Sequence, residues 1–592
     1  MSYIAPIKEL QFVLTELADI GSVARHPGFE EATPDMVEAI LEEAGRFATE
    51  ILEPLNRTGD QQGTRLENDR VVSPAGFVEA YQQFVESGWQ GLNQPTEFDG
   101  QGLPFLIQCA AAEIWNSANL SFALCPMLTA GAIEAISTHG SDALRQTYLP
   151  KLVSGEWTGT MNLTEPQAGS DLSAVRAKAE PEGDHYRISG QKIFITWGDH
   201  ELSENILHLT LARLPDAPEG VKGISLFLVP KYLVNDDGSL GARNDARVVS
   251  LEHKLGIHAS PTCLMSFGDE GGAVGYLVGE ENRGLACMFT MMNHARLEVG
   301  VEGVGLSERA YQHAVDYARE RIQGYAPGHD GRVAIIHHAD VRRMLLQMRA
   351  LTEAGRAIAC VTSAIHDHAH HAVDDTLRQS HQKRLDLLTP VVKAWCTETA
   401  QEVTSLGIQV HGGMGYIEET GAAQYLRDAR ITTIYEGTTG IQASDLIGRK
   451  ILRDRGAAMG VLLAELKQFE TELQSVEGSQ FETMKTGFSD ALQALVKSVD
   501  WVLENAEQPD MAGAVAVNFL MLMGTTLGGW LLTKGAIVAQ RQIDNGSTDD
   551  FFRAKITVAA FYAAQILPRS TAYGAAVRSG ANDIMAMPVE AF

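Results

Sequence analysis

The stretch Ile431-Thr432-Thr433-Ile434-Tyr435-Glu436-Gly437-Thr438-Thr439-Gly440-Ile441-Gln442 sets one carboxylate, Glu436, among apolar and hydroxyl side chains and follows it at once with glycine. A carboxylate partly removed from water is harder to ionise, so its pKa rises toward neutrality, where a general base works best. Gly437, without a side chain, lets a ligand approach the main chain closely. The same residues also suit a strand-to-helix turn in which Glu436 faces the positive end of the following helix. On spacing alone the turn is the commoner reading, because perturbed sites are a minority of such turns. The motifs elsewhere in the chain decide between the two.

The chain has 592 residues, too many for one hydrophobic core, so about two to four domains are expected. A net charge of −28 disfavours nucleic acid as a partner, since binding there rests on neutralising phosphates. The six cysteines, Cys109, Cys125, Cys263, Cys287, Cys360 and Cys396, are widely spaced without a C-x-x-C pair, which indicates neither a disulfide framework nor a zinc site. Lys8, Glu9, Glu16 and Asp19 interrupt any apolar run that could serve as an export signal, and a cytoplasmic protein in a reducing compartment is expected.

Periodicity divides the chain. Thr33-Pro34-Asp35 reads as a helix start whose apolar face runs from Met36 to Leu52 and stops at Pro54. A second helix runs from Pro74, with Ser73 as N-cap, to Glu86, and Phe105 to Ser137 is apolar enough for helices covered on most sides. From Trp157 to Val278 the period shortens to strands: Lys192 to Thr196, Ile206 to Ala212, Ile224 to Val229, Thr262 to Phe267, and a hairpin turning at Glu182-Gly183-Asp184. This is an expected antiparallel domain. Two of its segments can carry chemistry. Met161 to Asp171 offers amides and hydroxyls able to hydrogen-bond a heterocycle and phosphates, and Phe194 with Thr196 sets an aromatic plane beside a hydroxyl on one strand face. Helical periodicity returns from Gly284 to Leu452, with long runs at Gly300 to Ile322, His338 to His366 and Pro390 to Leu406.

In this order the motifs resemble the acyl-CoA dehydrogenase family: Thr164-Glu165-Pro166-Gln167-Ala168-Gly169-Ser170-Asp171, then Phe194-Ile195-Thr196, then Gln409-Val410-His411-Gly412-Gly413-Met414-Gly415-Tyr416, then Tyr435-Glu436-Gly437-Thr438. Four motifs in order carry far more weight than one alone. The resemblance implies an α+β multidomain fold: an N-terminal helical domain (1–156), a middle antiparallel β-domain (157–283), a C-terminal four-helix-bundle domain (284–452) and an extra C-terminal helical extension (453–592). It implies FAD as cofactor, held by Leu163, Thr164, Gly169, Ser170, Phe194, Thr196, Arg321, Gln409, Gly413 and Thr438. Arg321, Gln409 and Gly413 would reach it from a neighbouring subunit of a homodimer. Acyl-CoA would meet Ser170, Asn293, Arg296, Tyr435 and Gly437, with Arg296 opening a long helix, and no metal is implied.

Glu436 would remove an α-proton while a hydride leaves Cβ, with an electron-transfer flavoprotein as the final acceptor. Some relatives carry their base immediately before the Arg296 equivalent, where this chain has Ala295, which favours Glu436. The chain departs from the family pattern at Arg321-Ile322-Gln323-Gly324-Tyr325, where the loop through Arg332 is enlarged, at His338-Ala339, and at Gly440. The C-terminal extension resembles the extended bacterial branch. Its uncharged run Met511 to Thr533 is long enough to span a bilayer, yet Gly513, Asn518, Gly524, Gly528 and Gly529 argue for a small-residue helix buried in protein, with peripheral membrane contact the remaining option. The expected substrate is a medium- or long-chain fatty acyl-CoA. 3-(Methylthio)propanoyl-CoA is the alternative substrate, and acyl-CoA oxidase, using oxygen, the alternative activity.

Overall fold

A computed structural model describes residues 3–508 and 510–592. Its contacts group the chain into two compact units. One comprises 1–43, 104–117 and 299–592; the other comprises 44–103 and 118–298. The four-part division above runs along the chain, whereas this one follows packing.

The second unit is organised on an eight-stranded sheet. Its strands run in the order Ala246–Leu251, Thr262–Phe267, His185–Thr196, Ala273–Val278, Ser225–Pro230, Asn205–Ala212, Trp157–Asn162, and Lys178–Glu182 also pairs with His185–Thr196. The sheet is not purely antiparallel: Trp157–Asn162 and Asn205–Ala212 run parallel. Asn205–Ala212 is buried at every position and Trp157–Asn162 at all but Met161, as the two-sided covering of parallel strands requires. One face of the sheet packs Trp157, Leu207, Leu209 and Leu228 against Leu128, Ala132, Ile136, Leu149 and Met291, and the other packs Ile188, Ile195, Phe227 and Met265. A polar seam crosses this interior. Thr158 Oγ1 and His200 Nε2 lie 3.0 Å apart, and Thr160 Oγ1 and His208 Nδ1 2.8 Å apart. Burial holds both imidazoles far below their usual range, His208 at about 3.

The first unit is helical. Ala339–His371 and Asp375–His411 pack along each other and against Met511–Asp544 from the extension. The Asp375–His411 helix keeps Pro390 in its interior. Gly303 lets its helix close on this one, since a Cβ there would stand 2.8 Å from the Cys396 carbonyl oxygen. In Met511–Asp544 a Cβ at Gly524 would overlap the Trp395 ring, and one at Gly528 or Gly529 would meet Tyr562 or Leu567, whereas Gly513 is exposed and a Cβ there would meet nothing within 4 Å. The helices Phe105–His139 and Met511–Asp544 both have the length and hydropathy of a membrane span, and both are 83% buried over their most apolar window.

Two local expectations fail. The Pro34–Phe47 helix does not stop at Pro54 but passes through a π-helical turn at Ala48–Leu52 into Glu53–Gln62, where Pro54 sits at the start and needs no amide partner. The next helix is Phe77–Glu86, opened by Gly76 with φ +88° rather than capped by Ser73. All six cysteines are buried thiols.

Candidate active site

Glu436 lies in neither a strand nor a strand-to-helix turn. It occupies a tight turn between the helices Ala422–Thr432 and Thr439–Asp445. Ile434 and Tyr435 donate their amides back to Ile431 O at 2.8 and 3.1 Å, and Thr439 N–H reaches Thr433 O at 3.1 Å. Between them Glu436 has φ +54° and Gly437 φ +91°. A glutamate in the left-handed region costs about 1–3 kcal/mol and persists only where its surroundings over-determine it. Those surroundings are identifiable. Buried Gln442, six residues on, donates Nε2–H to Glu436 O at 3.1 Å and to Gly437 O at 3.3 Å. Lys393, fully buried, donates to Thr432 O at 2.7 Å, and Thr439 Oγ1 donates to Glu398 at 2.5 Å. The N-cap of the second helix is Thr438, whose hydroxyl accepts from Ile441 N–H at 3.2 Å, so Glu436 is released from that task.

Tyr435 Oη donates to Glu302 Oε2, a carboxylate that is 1% exposed. Burial first, then the Glu302 charge and hydrogen bond, then the charge of Glu436 push the Tyr435 phenol well above its ordinary value. Tyr435 and Glu436 therefore sit in one field, with the Glu436 carboxyl half-buried. The structure brings the predicted Tyr435, Glu436, Gly437 and Thr438 together in this one turn, and braces it with Gln442, Glu302 and Lys393, which the sequence reading did not single out. Gln442 was inside the quoted stretch, and its only signal was a polar side chain on the second turn of a short helix.

In the second unit, Leu163, Thr164, Phe194 and Thr196 are brought together by main-chain and side-chain bonds. Ile193 N–H donates to Thr164 O at 2.9 Å, and buried Lys192 donates to Leu163 O at 3.1 Å and to Glu165 Oε1 at 2.8 Å. A bulge opposite Leu264 interrupts the ladder between Lys192 and Ile195 and places Phe194 at φ +59°. The consequence is an aromatic ring left 59% exposed, with Thr196 half-buried beside it and Ile195 and Trp197 buried on the other side. Among the described residues no acceptor takes Thr164 N–H. Gly169 and Ser170 are exposed, and a Cβ at Gly169 would meet nothing within 4 Å. An uncovered aromatic face, a half-exposed hydroxyl, an amide donor without an acceptor and an open small-residue loop fit the ring and phosphates of a flavin dinucleotide.

The remaining predicted residues divide by burial. Arg296 does not open a helix: it lies within Gly284–Glu320, is 4% exposed, donates to Asn293 Oδ1 at 3.3 Å and stands over Phe289 at 5.9 Å. Asn293, Arg321, Gln409 and Gly413 are exposed. The enlarged loop after Arg321 is ordered by main-chain bonds, with Gln323 N–H to Val333 O at 2.9 Å and Ile335 N–H to Arg321 O at 2.8 Å, and His338 Nε2 lies 2.7 Å from Gln323 O.

Four family descriptions match successive parts of the chain: acyl-CoA dehydrogenase N-terminal domain at 34–156, middle domain at 160–269, C-terminal domain at 282–452, and an acetyl-CoA dehydrogenase C-terminal-like domain at 462–588. Among curated proteins, 3-methylmercaptopropionyl-CoA dehydrogenase of Ruegeria pomeroyi is 51% identical over 97% of each chain. The broad-specificity linear acyl-CoA dehydrogenase FadE5 of Mycobacterium tuberculosis is 34% identical over the full length of both. Among solved structures, an acyl-CoA dehydrogenase of Bacillus anthracis complexed with FAD superposes with a TM-score of 0.74 over 94% of this chain and 90% of that one, at 20% identity, a likeness that speaks for the fold.

Proposed function

The chain belongs to the acyl-CoA dehydrogenase family, in the branch with an additional C-terminal helical domain, and on that premise we propose that it introduces the α,β double bond of 3-(methylthio)propanoyl-CoA. The reaction class follows from the family. The substrate rests on the 51% identity to a dehydrogenase of that thioester across nearly the whole of both chains.

The observation that carries the mechanism is the strained, clamped turn at Glu436. A thioester α C–H is too weak an acid for a carboxylate in water, so the base must be held at the carbon and the developing enolate oxygen must meet donors placed in advance. Glu436 takes the α-proton onto its half-buried carboxylate, and its own main-chain N–H is the donor this chain offers to the thioester oxygen. Gly437 leaves room for the thioester beside the main chain, and Tyr435 walls the acyl group. FAD, when bound, supplies the acceptor for the hydride that leaves Cβ. Leu163, Thr164, Phe194 and Thr196 would hold its ring, Gly169 and Ser170 its phosphates, and Arg321, Gln409, Gly413 and Thr438 its remainder, the first three of these from the partner of a homodimer. Ser170, Asn293 and Arg296 would meet CoA. An electron-transfer flavoprotein is the proposed acceptor of the reducing equivalents, and the cytoplasm the proposed compartment.

A second substrate reading, medium- or long-chain linear fatty acyl-CoA, is favoured by the full-length likeness to FadE5. One experiment separates the two. Purified protein is mixed anaerobically with 3-(methylthio)propanoyl-CoA and with linear acyl-CoAs from short to long, and flavin absorbance is followed, with Glu436→Gln as control. Bleaching fastest with the thioether substrate, and lost in Glu436→Gln, is the expected outcome. Bleaching fastest with a long linear chain transfers the assignment to fatty acyl-CoA, and bleaching that survives in Glu436→Gln removes the base.

A further inference from the structure

Lys192 is an ammonium with no exposed surface, and it is spent on one loop. Its Nζ donates to Leu163 O at 3.1 Å and to Glu165 Oε1 at 2.8 Å. Glu165, 4% exposed, is saturated by the same loop. Oε1 also accepts Ala177 N–H at 3.0 Å, and Oε2 accepts Arg176 N–H at 2.8 Å and Gln167 Nε2–H at 2.6 Å. An ion pair this deep is costly to bury and is weak evidence of a stability role, since apolar side chains of similar volume would serve packing as well. The placement points elsewhere. Leu163 O and Thr164 N–H are the two ends of one peptide unit. A charged donor on the carbonyl draws density from the amide and makes its N–H a stronger donor, most of all in a low-dielectric interior. That N–H has no acceptor in the described chain.

We propose that the Lys192–Glu165 pair is a positioning and electrostatic element for the flavin: Lys192 polarises the Leu163–Thr164 peptide toward the cofactor and favours its reduced, more negative form, while Glu165 fixes the ammonium and limits its field. The inference rests on the reading of Leu163 and Thr164 as flavin-facing. Burial lowers the Lys192 pKa to about 8 with Glu165 opposing the shift, so the ammonium is retained at neutral pH.

The test is the midpoint potential of FAD in the purified holoenzyme, measured by equilibration with reference dyes, for wild type, Lys192→Met, Glu165→Gln and the double variant. In Lys192→Met the couple should shift at least tenfold toward the oxidised form, about 30 mV more negative for two electrons. Glu165→Gln should shift it in the opposite direction, and the double variant should lie within threefold of wild type. Opposite signs are the diagnostic, because a pair that merely braces the loop would move both single variants the same way. Equal potentials in Lys192→Met and wild type, or shifts of one sign in both single variants, would overturn the proposal while leaving the flavin reading intact. A wild-type protein that binds no flavin overturns both. Where Lys192→Met does not fold, Glu165→Gln decides alone: a more positive potential supports the pair, and an unchanged or more negative one overturns it.

Discussion

At the scale of single residues, the turn at Glu436 is held by a side chain from the helix that follows it. Gln442 reaches back to the carbonyl oxygens of both left-handed residues, Glu436 and Gly437. Without it, the two left-handed residues keep their strain and lose the bonds that make that conformation the lowest in energy. Gln442→Leu is therefore expected to let the carboxylate wander by a fraction of an ångström. A misplacement of about 1 Å costs about 10²-fold in rate, so the anaerobic bleaching rate at saturating acyl-CoA should fall between ten- and a hundredfold while substrate affinity changes less than threefold. An unchanged rate would mean that the turn holds itself. The buried imidazole of His208 makes a second residue-scale prediction. Burial holds its folded pKa at about 3 against an ordinary value of 6.5, so the folded state refuses a proton that the unfolded chain accepts. The contribution is complete above pH 6.5 and is lost as pH falls toward 3, amounting to about 2 kcal/mol by pH 5. His208→Asn should reduce the slope of unfolding free energy against pH between 6.5 and 5 by about one proton, read from denaturant titrations at each pH. Parallel slopes in variant and wild type would show that His208 does not contribute.

At the scale of elements, the sequence carried the type and order of the long runs, because each keeps one period, but not the number of strands: Ala246–Leu251 and Ala273–Val278 of the main sheet were not singled out. Trp157 to Val278 reads as strands since β-branched and aromatic residues recur there, and the hairpin at Gly183-Asp184 closes as its turn residues require. What escaped was set by contacts distant in sequence. The bulge that exposes Phe194 depends on Thr262–Phe267, about 70 residues away, and the parallel pairing of Trp157–Asn162 depends on which strand lies beside it. Pro54 misled for a local reason: a π-helical turn ahead of it removes the amide bond that proline would have broken. The candidate site was legible where its chemistry is local, as in Tyr435 to Thr438. It was illegible where a distant side chain completes it, as with Glu302 on Tyr435 and Lys192 on Leu163. The helix Met511–Asp544 shows the legible case in testable form. Its glycines point to a small-residue helix buried in protein, and Gly524 meets the face of Trp395. Gly524→Val must displace that ring from a filled core, a change that costs about 1–3 kcal/mol. The denaturant midpoint should fall accordingly, whereas Gly513→Ala, at a position where a Cβ meets nothing within 4 Å, should leave it unchanged or raised. Equal midpoints for Gly524→Val and wild type would place Trp395 elsewhere.

At the scale of the whole molecule, the helical unit is built from the two ends of the chain and its middle, so the ends cannot be treated as appendages. Ile4 exchanges hydrogen bonds with the Gln312 side chain at 3.1 and 2.7 Å, and Lys8 pairs with Asp549. Deeper, Lys555 of the extension donates to Glu9 at 2.5 Å and to Glu353 at 2.7 Å, all three buried, with Arg349 on the far side of Glu353 at 2.6 Å. Burial would raise the Glu353 carboxyl, but Lys555 and Arg349 together hold it down at about 2. In wild type that pair contributes stability above the ordinary carboxyl pKa of about 4.5, and the contribution is lost as pH falls through 2. Lys555→Met inverts the sign. Glu9 and Glu353 are left buried with one cation fewer, a loss of about 3–5 kcal/mol at pH 7, and their folded pKa values move up, so the variant should gain stability as pH falls from 7 toward 4.5. The gap between variant and wild type in denaturant midpoint should therefore narrow over that interval. Removing residues 1–12 takes away Glu9 and should make Lys555→Met less costly than it is in the full chain, because only Glu353 then remains to be left beside an apolar side chain. Additive losses from the truncation and the substitution, or a gap constant from pH 7 to 4.5, would show that the chain termini meet without sharing this charge.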